Sequence, residues 1–151
     1  MYIAHQMLLQ ITLNVCDSML GLSRVRVLDQ SEMTHREECL EGSIQITGEW
    51  EIELRVVCPK TVAVWLTAKL YDEITGELSD ENIRDALREV ISVIGRDVKD
   101  ALGGKSWLSY PRVRENVSTF DADLPSGFSD FNGDVLTMHL ADATQDAVLA
   151  L

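Results

Sequence analysis

A long segment of the chain repeats apolar residues at the three- and four-residue spacing of an amphipathic helix. The segment covers residues 79–104 and predicts one continuous helix on the order of 35 Å long from the usual rise per residue. Its apolar face consists of Ile83, Leu87, Val90, Ile91, Ile94, Val98 and Leu102. Ser79 is suited to cap the N-terminus, and Gly103 with Gly104 is suited to end the helix in a left-handed conformation. We expect the other elements to pack around this helix.

Two further segments have the same helical spacing. Residues 2–20 predict a helix that Gly21 ends, and Pro59 is well placed in the first turn of another helix, which Gly76 closes. The apolar positions of the first are Ile3, Met7, Leu8, Ile11, Val15 and Met19. Those of the second are Val62, Trp65, Leu66, Leu70 and Ile74. The methionines of the first helix are interpreted as core residues.

Residues 43–57 alternate strongly between apolar and polar side chains. Apolar residues occupy the even positions Ile44, Ile46, Trp50, Ile52, Leu54 and Val56, and polar residues occupy the odd positions Gln45, Thr47, Glu49, Glu51, Glu53 and Arg55. This pattern is typical of a β-hairpin with one buried face. A two-residue turn would pair even positions with odd ones and so place apolar residues opposite charged ones. A three-residue turn such as Gly48-Glu49-Trp50, with a bulge, pairs even with even, and we predict this turn.

Four shorter segments predict strands: residues 24–29, 107–110, 113–120 and 135–140. Pro111 lies between two of them and should mark a strand start or a sheet edge. Loops are expected at residues 30–38 and 121–134, and the tail after residue 140 is left open between a strand, a helix and a mobile end. The order of helix, three strands, two helices and further strands predicts an α+β fold with a largely antiparallel sheet.

The composition limits the classes of partner. A chain of 151 residues has the length of one domain, which we expect to span residues 1–151, and its apolar fraction of 46% supports an ordinary core. Lys and Arg number 13 against 25 Asp and Glu, a formal charge of −12. This charge disfavours nucleic acid and anionic membranes, which would repel the chain, and suits a partner with a basic patch.

Neither a metal site nor a membrane segment is predicted. The cysteines Cys16, Cys39 and Cys58 are odd in number and widely spaced, which indicates reduced thiols in a cytoplasmic protein. His35 has no second ligand nearby, and the aspartates of residues 121–134 do not have the spacing of a calcium loop. The apolar N-terminal run lacks a preceding basic region and is interrupted by polar residues, so we expect neither a signal peptide nor a membrane span.

Polar residues form a stripe on the outward face of the long helix. Asp85, Glu89, Ser92 and Arg96 follow one another at spacings of four, three and four residues, which stacks them along one line. Asp85 and Glu89 are like charges one turn apart, and Arg88 can offset their repulsion through Asp85. One interpretation is a solvated helix face; the other is a carboxylate and a small polar group displayed to a partner protein.

Two segments extend these observations to a known family. They read GSIQITGEWEIELRVVCP and ALREVISVIGRDV, and together with the strand after Pro111 they resemble the CheX branch of the CheC/CheX chemotaxis phosphatases. The resemblance covers the chain from about residue 25 to residue 140. In that family the helix displays an acidic or serine residue, then a glutamate, then an asparagine, and a proline follows downstream. Asp85 and Glu89 match the first two positions, and Ser92 replaces the asparagine.

Two further positions complete the comparison with the family pattern. Pro111 matches the downstream proline, although it comes early. Arg96 stands at the position of a small residue that the family has one turn past the asparagine, with Gly95 displaced by one. The resemblance implies that Asp85, Arg96 and Pro111 contact the partner, and that homodimers form through the sheet.

The resemblance implies a role for the stripe. Glu89 would pair with a lysine of a phosphorylated response-regulator receiver domain, and the residue at position 92 would orient a water for attack on the aspartyl phosphate. No cofactor is expected in this chain, because any Mg²⁺ would belong to the receiver domain. Asparagine offers an acceptor and two donors on a longer side chain than serine, so Ser92 is a weaker water-orienting group.

Three hypotheses therefore stay open. The chain hydrolyses the aspartyl phosphate of a receiver domain, or binds a receiver domain or itself without hydrolysis, or has a helix face that meets only solvent. A nucleophilic role for Ser92 is weaker, since no histidine base lies nearby in sequence. The charges of Glu49, Glu51 and Glu53 offer an alternative to pairing through the sheet, because they could blunt a free edge.

Overall fold

The computed structural model describes most of the chain and places its helices and strands in the predicted order. The described residues are 4–20, 25–28, 39–72, 78–117, 134–143 and 146–150. The helices are α1 (Ala4–Leu20), α2 (Lys60–Tyr71) and α3 (Asp80–Leu102). The strands are β1 (Val25–Leu28), β2 (Cys39–Gly48), β3 (Ile52–Pro59), β4 (Ser106–Leu108), β5 (Arg112–Val117), β6 (Asp134–Ala143) and β7 (Asp146–Ala150).

The strands form one mixed sheet in which antiparallel pairs predominate. The order is β1-β7-β6-β3-β2-β4, and β5 also pairs with β2. Four pairs, β2–β3, β2–β4, β2–β5 and β6–β7, are antiparallel, whereas β1–β7 and β3–β6 are parallel. The predicted α+β fold with a largely antiparallel sheet is confirmed. Most of the tail left open by the sequence is β-structure, because β6 extends to Ala143 and β7 follows.

The β2–β3 hairpin has the predicted parity. Ile46 pairs with Ile52 and Ile44 pairs with Leu54, so even positions face even positions. The connecting residues between the two strands are 49–51, one position later than the predicted turn. Gly48 has φ +119, a value that favours glycine, and ends β2 beside the turn.

The prediction of a single buried face for this hairpin is wrong. All eight residues of β3 are buried, because β3 lies between β2 and β6 at the centre of the sheet. The odd face buries Glu53 and Arg55, each 1% exposed, as an ion pair with Arg55 Nε 2.9 Å from Glu53 Oε1. A role for Glu53 in blunting a free edge is therefore excluded, while Glu49 and Glu51 are exposed in the turn.

The even face of the hairpin carries the core. Its apolar residues pack with α1, α2 and α3, which confirms helices on one face of the sheet. The buried members from β2 and β3 are Leu40, Ile44, Ile46, Ile52, Leu54, Val56 and Cys58. Those from the helices are Leu8, Val15, Val62, Ala63, Leu66, Ile83, Ala86, Leu87, Val90, Ile91, Ile94 and Val98. α3 thus buries the predicted apolar face, with Leu102 only partly buried.

The boundaries of α2 differ from the prediction. Pro59 is the last residue of β3 and the N-cap of α2 rather than a residue of its first turn. The helix ends at Tyr71 instead of continuing to Gly76, because Asp72 adopts a left-handed conformation with φ 53. Gly76 and the predicted loop at residues 30–38 lie outside the described residues, as does all but the end of the loop at 121–134.

Candidate functional site

The long helix that carries the candidate site is capped at both ends as predicted. The Asn82 amide donates to Ser79 Oγ at 3.1 Å, and the Gly103 amide donates to the Lys99 carbonyl at 3.2 Å. Gly103 has φ +69, in the left-handed region. Trp50 of the hairpin turn adds a tertiary contact, because its Nε1 donates to the Gly103 carbonyl at 3.2 Å. The helix is therefore held at its C-terminus by the sheet as well as by its own cap.

The polar stripe lies on the solvent side of α3. Asp85, Glu89 and Arg96 are exposed, and Ser92 is half-buried. The helix positions between them that face the sheet are buried, which follows from the helical period. The structure thus brings these predicted site residues onto one outward line, and neither Glu89 nor Ser92 packs into the core.

The two carboxylates of the stripe have different surroundings. Arg88 Nη1 lies 2.6 Å from Asp85 Oδ1 and 3.3 Å from Glu81 Oε1, so the predicted offset through Arg88 is confirmed. Glu89 makes no hydrogen bond or ion pair with any residue that the structure describes. Asp85 is therefore ion-paired within the chain, whereas Glu89 is the stripe carboxylate with no ion pair among the described residues.

The hydroxyl of Ser92 also lacks a partner in the described part of the chain. Hydroxyl side chains inside a helix often donate to the carbonyl four residues earlier. Thr12 does so to Leu8 at 2.7 Å, and Thr67 does so to Ala63 at 2.6 Å. Because Ser92 makes no such bond, its hydroxyl can donate to and accept from a water or a partner atom.

The segment that contains Pro111 runs alongside α3 in the opposite direction. A β-carbon on Gly95 would lie 3.4 Å from Leu108 Cδ2, and Arg84 Nη1 lies 2.6 Å from Glu115 Oε1. Position 95 of the helix is thus level with position 108, and position 84 with position 115. Pro111 falls between these two contacts and so lies along the part of α3 between positions 84 and 95.

Pro111 marks an irregularity at the sheet edge, as predicted. It directly precedes β5, and residues 109–111 separate β5 from β4, although both strands pair with β2. Ser109 closes the gap, since its amide donates to the Gln45 carbonyl and its Oγ accepts from the Gln45 amide, both at 2.9 Å. The absence of an amide hydrogen on Pro111 therefore costs no ladder bond.

An ion-pair cluster at the N-terminal end of α3 was not predicted. Arg84 donates to Glu81 at 2.8 Å on its own helix and to Glu115 on β5. Hydrogen bonds from Arg84 and then Arg88 hold the pKa of Glu81 below its usual range. The three-residue spacing of Glu81 and Arg84 could have indicated their pair, but the contact with Glu115 depends on how β5 packs.

Gly95 and Arg96 are adjacent on α3 but lie on different faces of the helix. Gly95 is buried against β2, where a β-carbon would lie 2.9 Å from Ile44 Cγ2. Arg96 is exposed, and its Nε is 3.9 Å from Asp97 Oδ1, the edge of ion-pair distance. Gly95 therefore permits the close approach of helix and sheet, and Arg96 points outward with the stripe.

No group of three or more His, Cys, Asp or Glu side chains in the described part of the chain is arranged to hold a metal ion. None of the described helices is long and apolar enough to cross a membrane.

Solved structures with a similar fold are chemotaxis proteins. CheX from Vibrio vulnificus superposes with a TM-score of 0.61 at 17% identity, over 75% of this chain and 74% of that one. CheX from Desulfovibrio desulfuricans gives 0.57 at 18% identity, over 75% and 77%. A candidate chemotaxis protein from Desulfovibrio vulgaris Hildenborough gives 0.56 at 20% identity, over 75% of each chain. No protein-family model and no curated protein matches the chain. The chain has a CheX-like fold.

Proposed function

We propose that this chain acts on a phosphorylated response-regulator receiver domain and positions a water that hydrolyses its aspartyl phosphate. The observation that supports this most is the pairing of groups on the stripe of a CheX-like fold. Glu89 is exposed without an ion pair among the described residues, and the hydroxyl of Ser92 is free one turn later. A carboxylate to dock and a hydroxyl to hold a water are what such a reaction needs from this chain.

In the proposed reaction, Glu89 docks on a lysine of the receiver domain and Ser92 holds the attacking water in line with the phosphorus. The water oxygen forms a bond to phosphorus while the bond from phosphorus to the aspartate oxygen breaks. Inorganic phosphate and the free aspartate carboxylate are the products, and the proton of the water leaves with the phosphate. The receiver domain supplies the divalent metal, so this chain contributes positioning alone.

A second candidate is binding of the receiver domain without hydrolysis. Ser92 is half-buried, and its hydroxyl reaches less far than the amide of an asparagine. Water placement then requires a closer approach of the partner or a second bridging water. In both candidates Asp85, Arg96 and Pro111 contact the partner around the stripe. The homodimer and the single domain over residues 1–151 stay predictions.

One experiment separates the two candidates. Purified phosphorylated receiver domains from the same genome are mixed with the wild-type chain, and loss of phosphate is followed over time. Hydrolysis predicts an active wild type and a Glu89→Gln variant slower by about a hundredfold, since misplacement of the reacting groups costs roughly this factor. Asp80→Asn, with the same change of charge in the first turn of α3 but off the stripe, should keep wild-type activity.

The other outcomes are equally informative. An inert wild type that becomes active as Ser92→Asn supports binding without hydrolysis on a scaffold able to catalyse. An active wild type whose rate is unchanged in Glu89→Gln contradicts the role of the stripe in both candidates.

A further inference from the structure

One large aromatic side chain near the stripe is left almost wholly in water. Tyr110 is 91% exposed, against 65% for Trp107 and 39% for Tyr71, the other exposed large hydrophobic residues of the described chain. Scattered apolar residues on a surface are ordinary. Tyrosine on a fixed backbone is nevertheless among the residue types that most often carry binding free energy in protein interfaces, because it buries a large area and loses little side-chain entropy.

Tyr110 lies in the segment that packs along α3, the helix that carries the stripe. It directly precedes Pro111, between the Leu108 contact with Gly95 and the Glu115 contact with Arg84. It is therefore in the segment that runs along α3 between positions 84 and 95, a span that includes Glu89 and Ser92. Its backbone is also held, since the preceding Ser109 is bonded to Gln45 in both directions. A protein that covers Ser92 from the solvent side has Tyr110 within reach.

Trp107 lies on the other face of the sheet. Its neighbour Leu108 contacts α3, and successive residues of a strand point to opposite faces. The ring of Trp107 is instead near Gly48, where a β-carbon would lie 2.8 Å from Cζ3. Trp107 is thus an exposed aromatic residue of the same edge whose ring lies away from α3, which makes it a matched control.

The segment that contains Tyr110 is less acidic than the chain as a whole. Residues 96–114 contain five Lys and Arg against two Asp, in a chain that has 13 against 25, although Arg114 is paired with Glu41. An aspartyl phosphate brings negative charge to the same place. Two copies of this chain paired edge to edge through β4 and β5 would instead bring these basic segments together, and like charges across an interface are destabilising.

We infer that Tyr110 anchors the receiver domain, so that the docking surface extends from the α3 stripe onto the β4–β5 edge. This inference rests on the proposed function and adds a residue outside α3 to the contact. Tyr110 buries its ring against the receiver domain while Glu89 pairs with it.

The test measures binding of receiver domains from the same genome, activated with beryllofluoride as the phosphate mimic, by titration calorimetry. Tyr110→Ala should raise the dissociation constant by about tenfold or more, as for a hot-spot residue. Tyr110→Phe should retain most of the affinity. Trp107→Ala and Tyr71→Ala should stay within about twofold of wild type, and circular dichroism verifies that each variant is folded.

The results that would contradict the inference can be told apart from those that would contradict the proposed function. If Glu89→Gln loses affinity while Tyr110→Ala does not, the inference is overturned and the proposed function stands. If no receiver domain binds the wild type, the proposed function and the inference are overturned together. If Trp107→Ala weakens binding as much as Tyr110→Ala does, or if Tyr110→Ala converts a dimer into a monomer in light scattering, the edge is not the specific anchor inferred here.

Discussion

Gly95 of α3 packs so closely on Ile44 of β2 that a β-carbon at position 95 would lie 2.9 Å from Ile44 Cγ2. This contact sets the separation between the helix that carries the stripe and the sheet. We expect Gly95→Ala to lower the free energy of unfolding by about 1 kcal/mol. The steric overlap of the new methyl group destabilises the fold by more than the higher helix propensity of alanine stabilises it. Urea denaturation measures the change.

The Ile44→Ala background is the control for this steric explanation. It removes the Cγ2 atom that the new methyl group meets, at the cost of a cavity. In that background Gly95→Ala should be neutral or stabilising. A Gly95→Ala variant more stable than wild type in the natural background would show that the contact is not tight.

Ser79→Ala should destabilise the protein by about 1 kcal/mol, because it leaves the Asn82 amide without the acceptor that Ser79 Oγ supplies at 3.1 Å. Ser79→Asp retains an acceptor at the N-cap and should stay close to wild type. Both changes are measured as shifts of the urea midpoint at constant slope. Equal losses in the two variants would assign the effect to something other than capping.

Removal of Arg114 should strongly destabilise the protein, because its ion-pair partner Glu41 is fully buried. Arg114 Nη2 lies 2.9 Å from Glu41 Oε2 and is the ion-pair partner of this carboxylate among the described residues. Breaking a buried pair from one side costs about 3 kcal/mol or more, and we expect Arg114→Ala to approach this value. Adding Glu41→Gln should recover part of the loss. A double variant no more stable than Arg114→Ala would contradict this account.

Stability should fall in alkali because of Cys58. Burial, together with the charge of Cys39, raises the pKa of the Cys58 thiol from 9.0 to about 12. From pH 9 to pH 12 the unfolded chain loses this proton and the folded chain keeps it, so the contribution is intact below pH 9 and is lost as the pH rises through that window. The expected slope is about 1.4 kcal/mol per pH unit.

Denaturation in urea at pH 7 to 10.5 tests this dependence. Cys58→Ala is less stable at every pH because of its cavity. The stability that this variant loses between pH 9 and 10.5 should nevertheless be smaller than the stability that wild type loses. The loss that remains in the variant comes from other titrating groups. Parallel pH profiles of the two proteins would refute the assignment to Cys58.

The elements that depend on local signals were predictable from the sequence. α3 has a regular apolar period and capping residues at both ends, so its bounds, its buried face and its outward stripe followed from the helical repeat alone. The even-to-even register of the β2–β3 hairpin followed from the apolar residues occupying even positions in both strands. The end of α2 did not, because the left-handed residue that ends it is Asp72 and not a glycine.

The remaining features depend on pairing between distant parts of the chain. The charged odd positions of β3 indicated a solvent face, but β6 pairs with β3 from far along the chain and leaves the strand central. In the same way, nothing in the sequence near Tyr110 indicates that its segment runs along α3. That arrangement follows from the packing of β4 and β5 on the helix through contacts such as Arg84 with Glu115.

The buried pair of Glu53 and Arg55 has a consequence for how this chain can vary during evolution. With both side chains 1% exposed, loss of Arg55 removes the ion-pair partner that the buried Glu53 carboxylate has among the described residues, while replacement of both by apolar residues of similar volume is tolerated. Substitutions at these two positions should therefore be correlated among homologous sequences. Relatives that lack the arginine at position 55 should also lack the carboxylate at position 53.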